Sequence, residues 1–261
     1  MNAEDLINQI VLEKPHVFFV SPHLDDAALS CGGLLCHLAD KTDVTVVSVF
    51  TKVTQSPYTL SARQFLKQCK NPDAENLFEE RKKEDVEALN SIGVKTTHLG
   101  FVDASWRKKE GLHGLRKAIA DVFPEFGHVY PTYRWNVISG VISKYDNSLM
   151  DSIKKSLESL ISSHQKFVVF CPLGIGNHVD HVVVNKCCQE VFDDIIYWSD
   201  FPYSTKDDKH DNLKIEEKFR WSQRGDQKRQ LVQGYKSQFS AIFQDGIMPK
   251  VDEVYYVSRE K

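Results

Sequence analysis

Two runs of apolar, largely β-branched or aromatic residues enclose a single helical stretch near the start of the chain, and this arrangement restricts the fold most. His16-Val-Phe-Phe-Val-Ser-Pro22 reads as a buried strand, Ala27–Ala39 as a helix and Asp43-Val-Thr-Val-Val-Ser-Val-Phe50 as a second buried strand. Strands that are apolar on both faces belong in a sheet covered on both sides. Strand, helix, strand in that order closes as a right-handed βαβ unit with a parallel pair. The same reading predicts strands over Thr96–Phe101, Lys166–Cys171 and Asp194–Trp198, and an edge strand over Glu253–Val257. Helices are predicted over Asn76–Ile92, Leu112–Val122, Tyr145–Ser163, Val182–Val191 and Gln227–Phe243. The alternation predicts one α/β domain over residues 1–261, with a doubly wound, mostly parallel sheet flanked by helices. Residues 51–75 and 102–144 lack a clear period and read as loop insertions near the active site, and Lys206–Lys218 reads as a solvated loop.

The composition excludes several functions. A net charge of −3 gives no general pull towards nucleic acid or anionic membrane, and no basic face with interleaved aromatics points to a nucleic-acid partner. The first residues, Met-Asn-Ala-Glu-Asp-Leu, lack the basic and apolar regions of a secretory signal. The longest apolar runs, Val44–Phe50 and Phe167–Cys171, are too short to span a bilayer, so no transmembrane segment is expected. Six cysteines (Cys31, Cys36, Cys69, Cys171, Cys187, Cys188) show no CxxC spacing and read as reduced, structural thiols of a cytoplasmic protein. Oligomeric state is left open, a homo-oligomer included.

The chemistry concentrates where two strands end. His23-Leu24-Asp25-Asp26 sets one imidazole and two carboxylates within four residues, and a turn entering a helix aims residues 23 and 26 at one point. Helix capping accounts for one of these carboxylates and not for the histidine. His178-Val179-Asp180-His181 repeats the pattern after a second strand. Together they offer a His/Asp/His set of the kind that binds catalytic Zn2+ with an open position for water; Fe2+, Co2+ and Mn2+ suit the same ligands. Water activated by such an ion needs a base, for which Asp25 is placed beside a ligand. His178 suits polarising a substrate carbonyl, with Asp180 holding its tautomer. These residue types fit amide hydrolysis and also admit ester or phosphoester cleavage.

Ser21-Pro-His-Leu-Asp-Asp26 followed by Leu29-Ser-Cys-Gly-Gly33, and Asn177-His-Val-Asp-His181, resemble the two signatures of the PIG-L/LmbE-like de-N-acetylases. Arg81-Lys-Lys-Glu84, Leu99-Gly-Phe-Val-Asp103, Tyr197–Tyr203 and Gly234-Tyr-Lys-Ser-Gln238 extend the resemblance along most of the chain. It implies a Rossmann-like fold and zinc-dependent removal of an N-acetyl group from an N-acetylglucosamine-type sugar or glycoconjugate. It implies His23, Asp26 and His181 as metal ligands, Asp25 as general base, His178 as the carbonyl-polarising group and Asp180 as its partner. It also implies Arg81 as a substrate contact, for which an ion pair with Asp85 is the plainer alternative. The sequence departs from many relatives in carrying Leu24 for proline and Ala27 for glutamate.

Other signals are weaker. Asp103, at the predicted third strand's end, is either a substrate contact or a turn residue. Tyr58, Trp106, Tyr130, Tyr133 and Trp135 are candidates for stacking on sugar rings. Gly174-Ile-Gly176 reads as a turn giving backbone access to the metal, since it lacks the third glycine of a nucleotide loop. Three alternatives stand: an amidase acting on another substrate, such as a thiol conjugate, a Rossmann-like nucleotide-binding module without hydrolase activity, and a metal-binding but catalytically silent protein, against which Asp25 speaks.

Overall fold

The computed structural model describes residues 3–203 and 217–259. In chain order the elements are α1 (Ala3–Glu13), β1 (His16–Ser21), α2 (Asp26–Leu38), β2 (Val44–Lys52), α3 (Leu60–Gln68), α4 (Ala74–Asn90) and β3 (Lys95–Val102). There follow α5 (Gly114–Val122), α6 (Pro124–Gly127), α7 (Asn147–Ile161), β4 (Phe167–Pro172), α8 (Val179–Val191) and β5 (Asp194–Trp198). The chain finishes with β6 (Glu217–Trp221), α9 (Gly225–Gln233), α10 (Lys236–Ile242) and β7 (Glu253–Arg259).

Among the described residues, seven strands form one sheet in the order β3-β2-β1-β4-β5-β7-β6, the first five parallel, with β7 antiparallel to both of its neighbours, β5 and β6. From β1 the chain winds outwards through β2 to β3, then returns to lay β4 on the other side of β1. The crevice between the carboxyl ends of β1 and β4 is therefore the switch point, where ligands of such sheets bind. Both histidine motifs begin there. Neighbouring residues of β1 serve opposite faces: Val17 and Phe19 pack with α1, α2, α4 and α9, while Phe18 and Val20 pack with α7 and α8. Each such side chain, fully buried, contributes roughly 1.5–3 kcal/mol.

Helix α2 is buried along its length apart from His37, because it lies between the sheet and α9. Gly32 and Gly33 permit that approach. A Cβ on Gly33 would sit 2.7 Å from the Gln223 carbonyl oxygen, and one on Gly32 2.8 Å from Lys228 Cγ. The clamp behind α2 is polar: the Lys228 ammonium pairs with Glu253 at 2.9 Å, and Glu253 also accepts from the Gly33 and Leu34 amides.

Four sequence expectations change in detail. Residues 51–75 are not wholly irregular, since they include α3, capped by the Thr59 side chain accepting from the Ala62 amide. The helix expected over Gln227–Phe243 divides into α9 and α10 at Gly234-Tyr235. Glu217 and Lys218, expected in a loop, open β6, while residues 206–216 of that loop lie outside the described residues. Helix α1 lies upstream of every element that the sequence pattern announced.

Lys228 and Glu253 are each about 5% exposed or less, so Lys228→Met is expected to leave an uncompensated buried carboxylate. The expected cost is about 3–5 kcal/mol, read as a lower urea midpoint; an unchanged midpoint would show the pair to be dispensable.

Candidate metal centre and active site

The turn from β1 into α2 is fixed by Ser21, whose hydroxyl donates to the His23 carbonyl at 2.6 Å and accepts from the Ala27 amide. That frees both aspartates. Asp25 makes no capping bond with its side chain. Oδ2 of Asp26 accepts the His23 amide and lies 2.9 Å from His23 Nδ1 and 3.2 Å from His181 Nε2. Three donor-type atoms thus converge from β1's end and from α8. Donors around a tetrahedral ion with ~2.1 Å bonds are separated by roughly 3.4 Å, so the set suits a small divalent ion.

The outer nitrogens are held as well. His23 Nε2 lies 3.2 Å from Asp180 Oδ2, and His181 Nδ1 lies 2.7 Å from Asp200 Oδ1. Each imidazole thereby turns one nitrogen to the centre and the other to a carboxylate, the arrangement that fixes tautomer and ring orientation in metal sites. Asp200 Oδ2 accepts the amides of Gly174 and Ile175, which explains the glycine-bounded turn: Gly174 and Gly176 have φ of +87° and +83°. A second group able to hold an ion is His23, His178 and Asp180. It suits an ion less, because Asp180's carboxylate is already bonded to Arg107 at 2.6 Å and to the Ala104 amide at 2.8 Å.

Asp180 meets His178 through its backbone amide, and its carboxylate is directed elsewhere. The Asp180 side chain faces Arg107, Ala104 and His23; its link to His178 is its own amide, which donates to His178 Nδ1 at 3.3 Å. A nitrogen that accepts carries no proton, so neutral His178 bears its proton on Nε2. Burial and the neighbouring imidazoles of His23 and His181 push its pKa down to about 3, keeping it neutral.

Charge in the cluster divides accordingly. Burial opposes ionisation of His181, but the Asp26 and Asp200 carboxylates outweigh it and raise its pKa to about 9. Asp26 is held well below the usual carboxylate range: burial works against this, and the charges of His181 and His23 overcome it. Burial raises the pKa of Asp25, opposed by the Arg81 guanidinium, whose Nη2 lies 3.3 Å from Asp25 Oδ1.

Arg81 therefore faces Asp25 and not Asp85, which bonds His98 and the Tyr235 hydroxyl, each at 2.8 Å. Asp103 is a turn residue whose Oδ1 accepts from the Ser105 amide, and it also lines the cavity with Oδ2 3.5 Å from His23 Nε2. That cavity, about 420 Å³, is lined by His23, Asp25, Asp26, Arg81, Asp103 and His178 on the sheet side. The two insertions add to it, Ser61, Gln64, Phe65 and Gln68 from α3 and Ser105, Trp106 and Tyr133 from 102–144, and Pro202, Tyr203 and α10 close the remaining side. Of the other aromatic candidates, Tyr58 packs edge-on against Trp106, Tyr130 donates its hydroxyl to Asp146, and Trp135 is exposed.

Sequence reasoning missed two buried residues. Arg107 bridges Asp146 and Asp180, at 2.6 Å to each, between the rings of Phe50 and Tyr130. Asp200 follows β5 within Tyr197–Tyr203, a stretch that the sequence marked only by its resemblance; its place at a strand's carboxyl end is what would have marked it.

A doubly wound sheet with clustered histidines and carboxylates at its switch point defines the class, an α/β protein with a buried candidate metal site. The chain belongs to the PIG-L family, described as GlcNAc-PI de-N-acetylase, whose profile matches residues 18–192. It is similar to the 2'-N-acetylparomamine deacetylase of Streptomyces fradiae, 25% identical over 203 residues that span 76% of this chain and 61% of that protein. It is also similar to the enzyme of the same name from Niallia circulans, 27% identical over 208 residues, 73% of this chain and 68% of that one. The match thus spans under two thirds of the first relative's length. Among solved structures, a deacetylase of teicoplanin biosynthesis shares the fold with a TM-score of 0.74 at 23% identity, covering 94% of this chain and 99% of its own.

Two outcomes follow from this geometry. Asp200→Asn is expected to weaken zinc binding about 10–100-fold in chelator competition while the protein stays folded; unchanged affinity would remove Asp200 from the site. In metal-free protein, His181 binds its proton more tightly folded (about 9) than unfolded (ordinarily 6.5). Its contribution is complete below pH 6.5 and lost as pH rises through about 9, so urea stability should fall across that window. A flat profile would contradict the imidazole–carboxylate arrangement.

Proposed function

We propose that this chain is a zinc-dependent hydrolase that removes the acetyl group from an N-acetylglucosamine-type sugar or its conjugate. The observation that carries this is the convergence of His23, Asp26 and His181 on one point beside a cavity that also presents Asp25 and His178. A divalent ion held by those three would act as a Lewis acid and lower the pKa of water to near neutrality.

The chain's own groups account for the rest. Asp25 is the general base: its carboxylate lines the cavity, and burial raises its proton affinity towards the working range. Arg81 holds Oδ1 of that carboxylate and lines the same wall, where its guanidinium also meets substrate. His178, neutral and protonated on Nε2, donates to the amide oxygen as negative charge develops there. Asp180 serves by holding His23, and it is held in turn by Arg107 and the Ala104 amide. Asp103, Trp106 and Tyr133 bound the space for the sugar, aromatic faces and carboxylates being common partners of sugar C–H faces and hydroxyls. The paromamine relatives' printed activity, removal of an acetyl group from an amino sugar, supports the same substrate class.

The test is acetate release from a panel of neutral N-acetylated sugars and conjugates, before and after chelator and after zinc is restored. Release that chelator abolishes and zinc restores is expected. Asp25→Asn is expected to retain the metal and lose turnover by at least about 100-fold. Acetate release by the variant equal to that of the parent would contradict the base assignment, and none from metal-loaded parent across the panel would contradict the reaction class.

A further inference from the structure

The cavity beside the metal centre is chemically divided. Its charged and imidazole side chains, His23, Asp25, Asp26, Arg81, Asp103 and His178, are each 9% exposed or less. Nearer solvent the lining is uncharged: Gln64 and Gln68 of α3 are exposed, and Tyr133 is 46% exposed. Helix α10 adds Gln238 and Ile242, and the segment after β5 adds Tyr203. Cations stand close by in the sequence (Arg63 and Lys67 on α3, Arg134 next to Tyr133, Lys236 on α10), yet none of these four lines the cavity.

The rotation of α3 produces this sorting. At about 100° per residue, Ser61, Gln64, Phe65 and Gln68 share an arc of roughly 100°, and all four line the cavity. Ala62 and Leu66, on the next arc, are buried, while Arg63 and Lys67 occupy the remaining, exposed one. The helix is anchored in that rotation. Its Leu60 amide donates to Glu125 at 2.9 Å, and the Ser61 hydroxyl donates to the Pro131 carbonyl at 3.3 Å. At its other end Gln238 Nε2, from α10, lies 3.8 Å from Cys69 Sγ. Gln64 and Gln68 themselves have no hydrogen-bond partner among the described residues, so each offers a carbonyl oxygen and an amide N–H pair to a ligand.

We propose that Gln64, Gln68 and the Phe65 ring form a subsite for a second, uncharged hexose joined to the acetamido sugar, so that the substrate is a neutral disaccharide or larger glycoconjugate and not a lone monosaccharide. The inference rests on the deacetylase reading for what occupies the buried end of the cavity. With the acetamide at the metal centre, the remainder of a glycoconjugate passes the exposed rim that α3 helps to form. Two carboxamides, each donating and accepting, match the double character of sugar hydroxyls, and an aromatic ring suits the C–H face of a pyranose. A unit bearing an ammonium or a carboxylate finds no counter-ion on this wall. An alkyl aglycone displaces water from both carboxamides without replacing its hydrogen bonds.

The test is calorimetric titration of zinc-loaded Asp25→Asn protein, which is expected to bind sugar without turning it over. The ligands are N-acetylglucosamine and its disaccharides with glucose or galactose, the hexose on either side. At least one disaccharide is expected to bind about tenfold tighter than the monosaccharide, the worth of two ordinary hydrogen bonds. Adding Gln64→Leu/Gln68→Leu should bring the two affinities together with an unchanged melting temperature, since both side chains are exposed. Two further conjugates of N-acetylglucosamine, with glucosamine and with a hexyl chain, present a charged and an alkyl group in the hexose's place. Equal affinity for monosaccharide and disaccharides, a preference that survives the double substitution, tighter binding of the glucosamine or hexyl conjugate than of every neutral disaccharide, or no binding at all would each overturn the proposal. The titration measures no acetate, so failure of the deacetylase reading and failure of the subsite are separately visible.

Discussion

One carboxylate oxygen, Asp26 Oδ2, lies between two imidazoles brought from distant parts of the chain, and the active end of the molecule is organised around that meeting. It depends on β1 and β4 being neighbours although more than a hundred residues separate them. The crossover that makes them adjacent also opens the crevice in which His23 and His181 face each other. Close packing of α2 through Gly32 and Gly33 seats Asp26 at the helix's start, and burial makes its partners matter. In water such pairs are weak; out of water, an imidazole or carboxylate without a partner is costly.

The centre is consequently supported in layers. Asp180 holds His23, Arg107 holds Asp180, and Asp146 with Tyr130 completes the pairing of Arg107. On the other side Asp200 holds His181 and is satisfied by two amides of the glycine-bounded turn. Residues 102–146, which carry Arg107, Tyr130 and Asp146, thus belong to the structural support of the centre as much as to the cavity wall. A lid alone would have no need of a buried arginine.

Much of this was legible because it is periodic or locally dense. β1, β2 and β4 are apolar runs, and the two His/Asp clusters place ligand-type groups within four residues. For Asp180, sequence proximity suggested a carboxylate partner for His178, whereas the first turn of α8 directs that side chain to Arg107 and His23 and sets its amide on His178. Asp200 and Arg107 were passed over because each works through buried contacts to residues distant in the chain, with no repeat in the sequence. The polar α3 concealed itself similarly, its apolar contacts resting on Ala62 and Leu66. Strand β6 is short and half polar, so alternation gave little to read. For α5 the helical pattern was visible, but the usual inference from amphipathicity, that the apolar stripe is buried, does not hold there, since Leu115 and Val122 are exposed.

The most direct test of the central claim is metal stoichiometry with X-ray absorption on zinc-loaded protein, parent and His181→Ala. The account predicts one tightly held ion per chain, coordinated by two imidazole nitrogens and oxygen, with the ion lost or held far more weakly in the variant. Sulfur in the coordination shell, or full occupancy after His181→Ala, would contradict it.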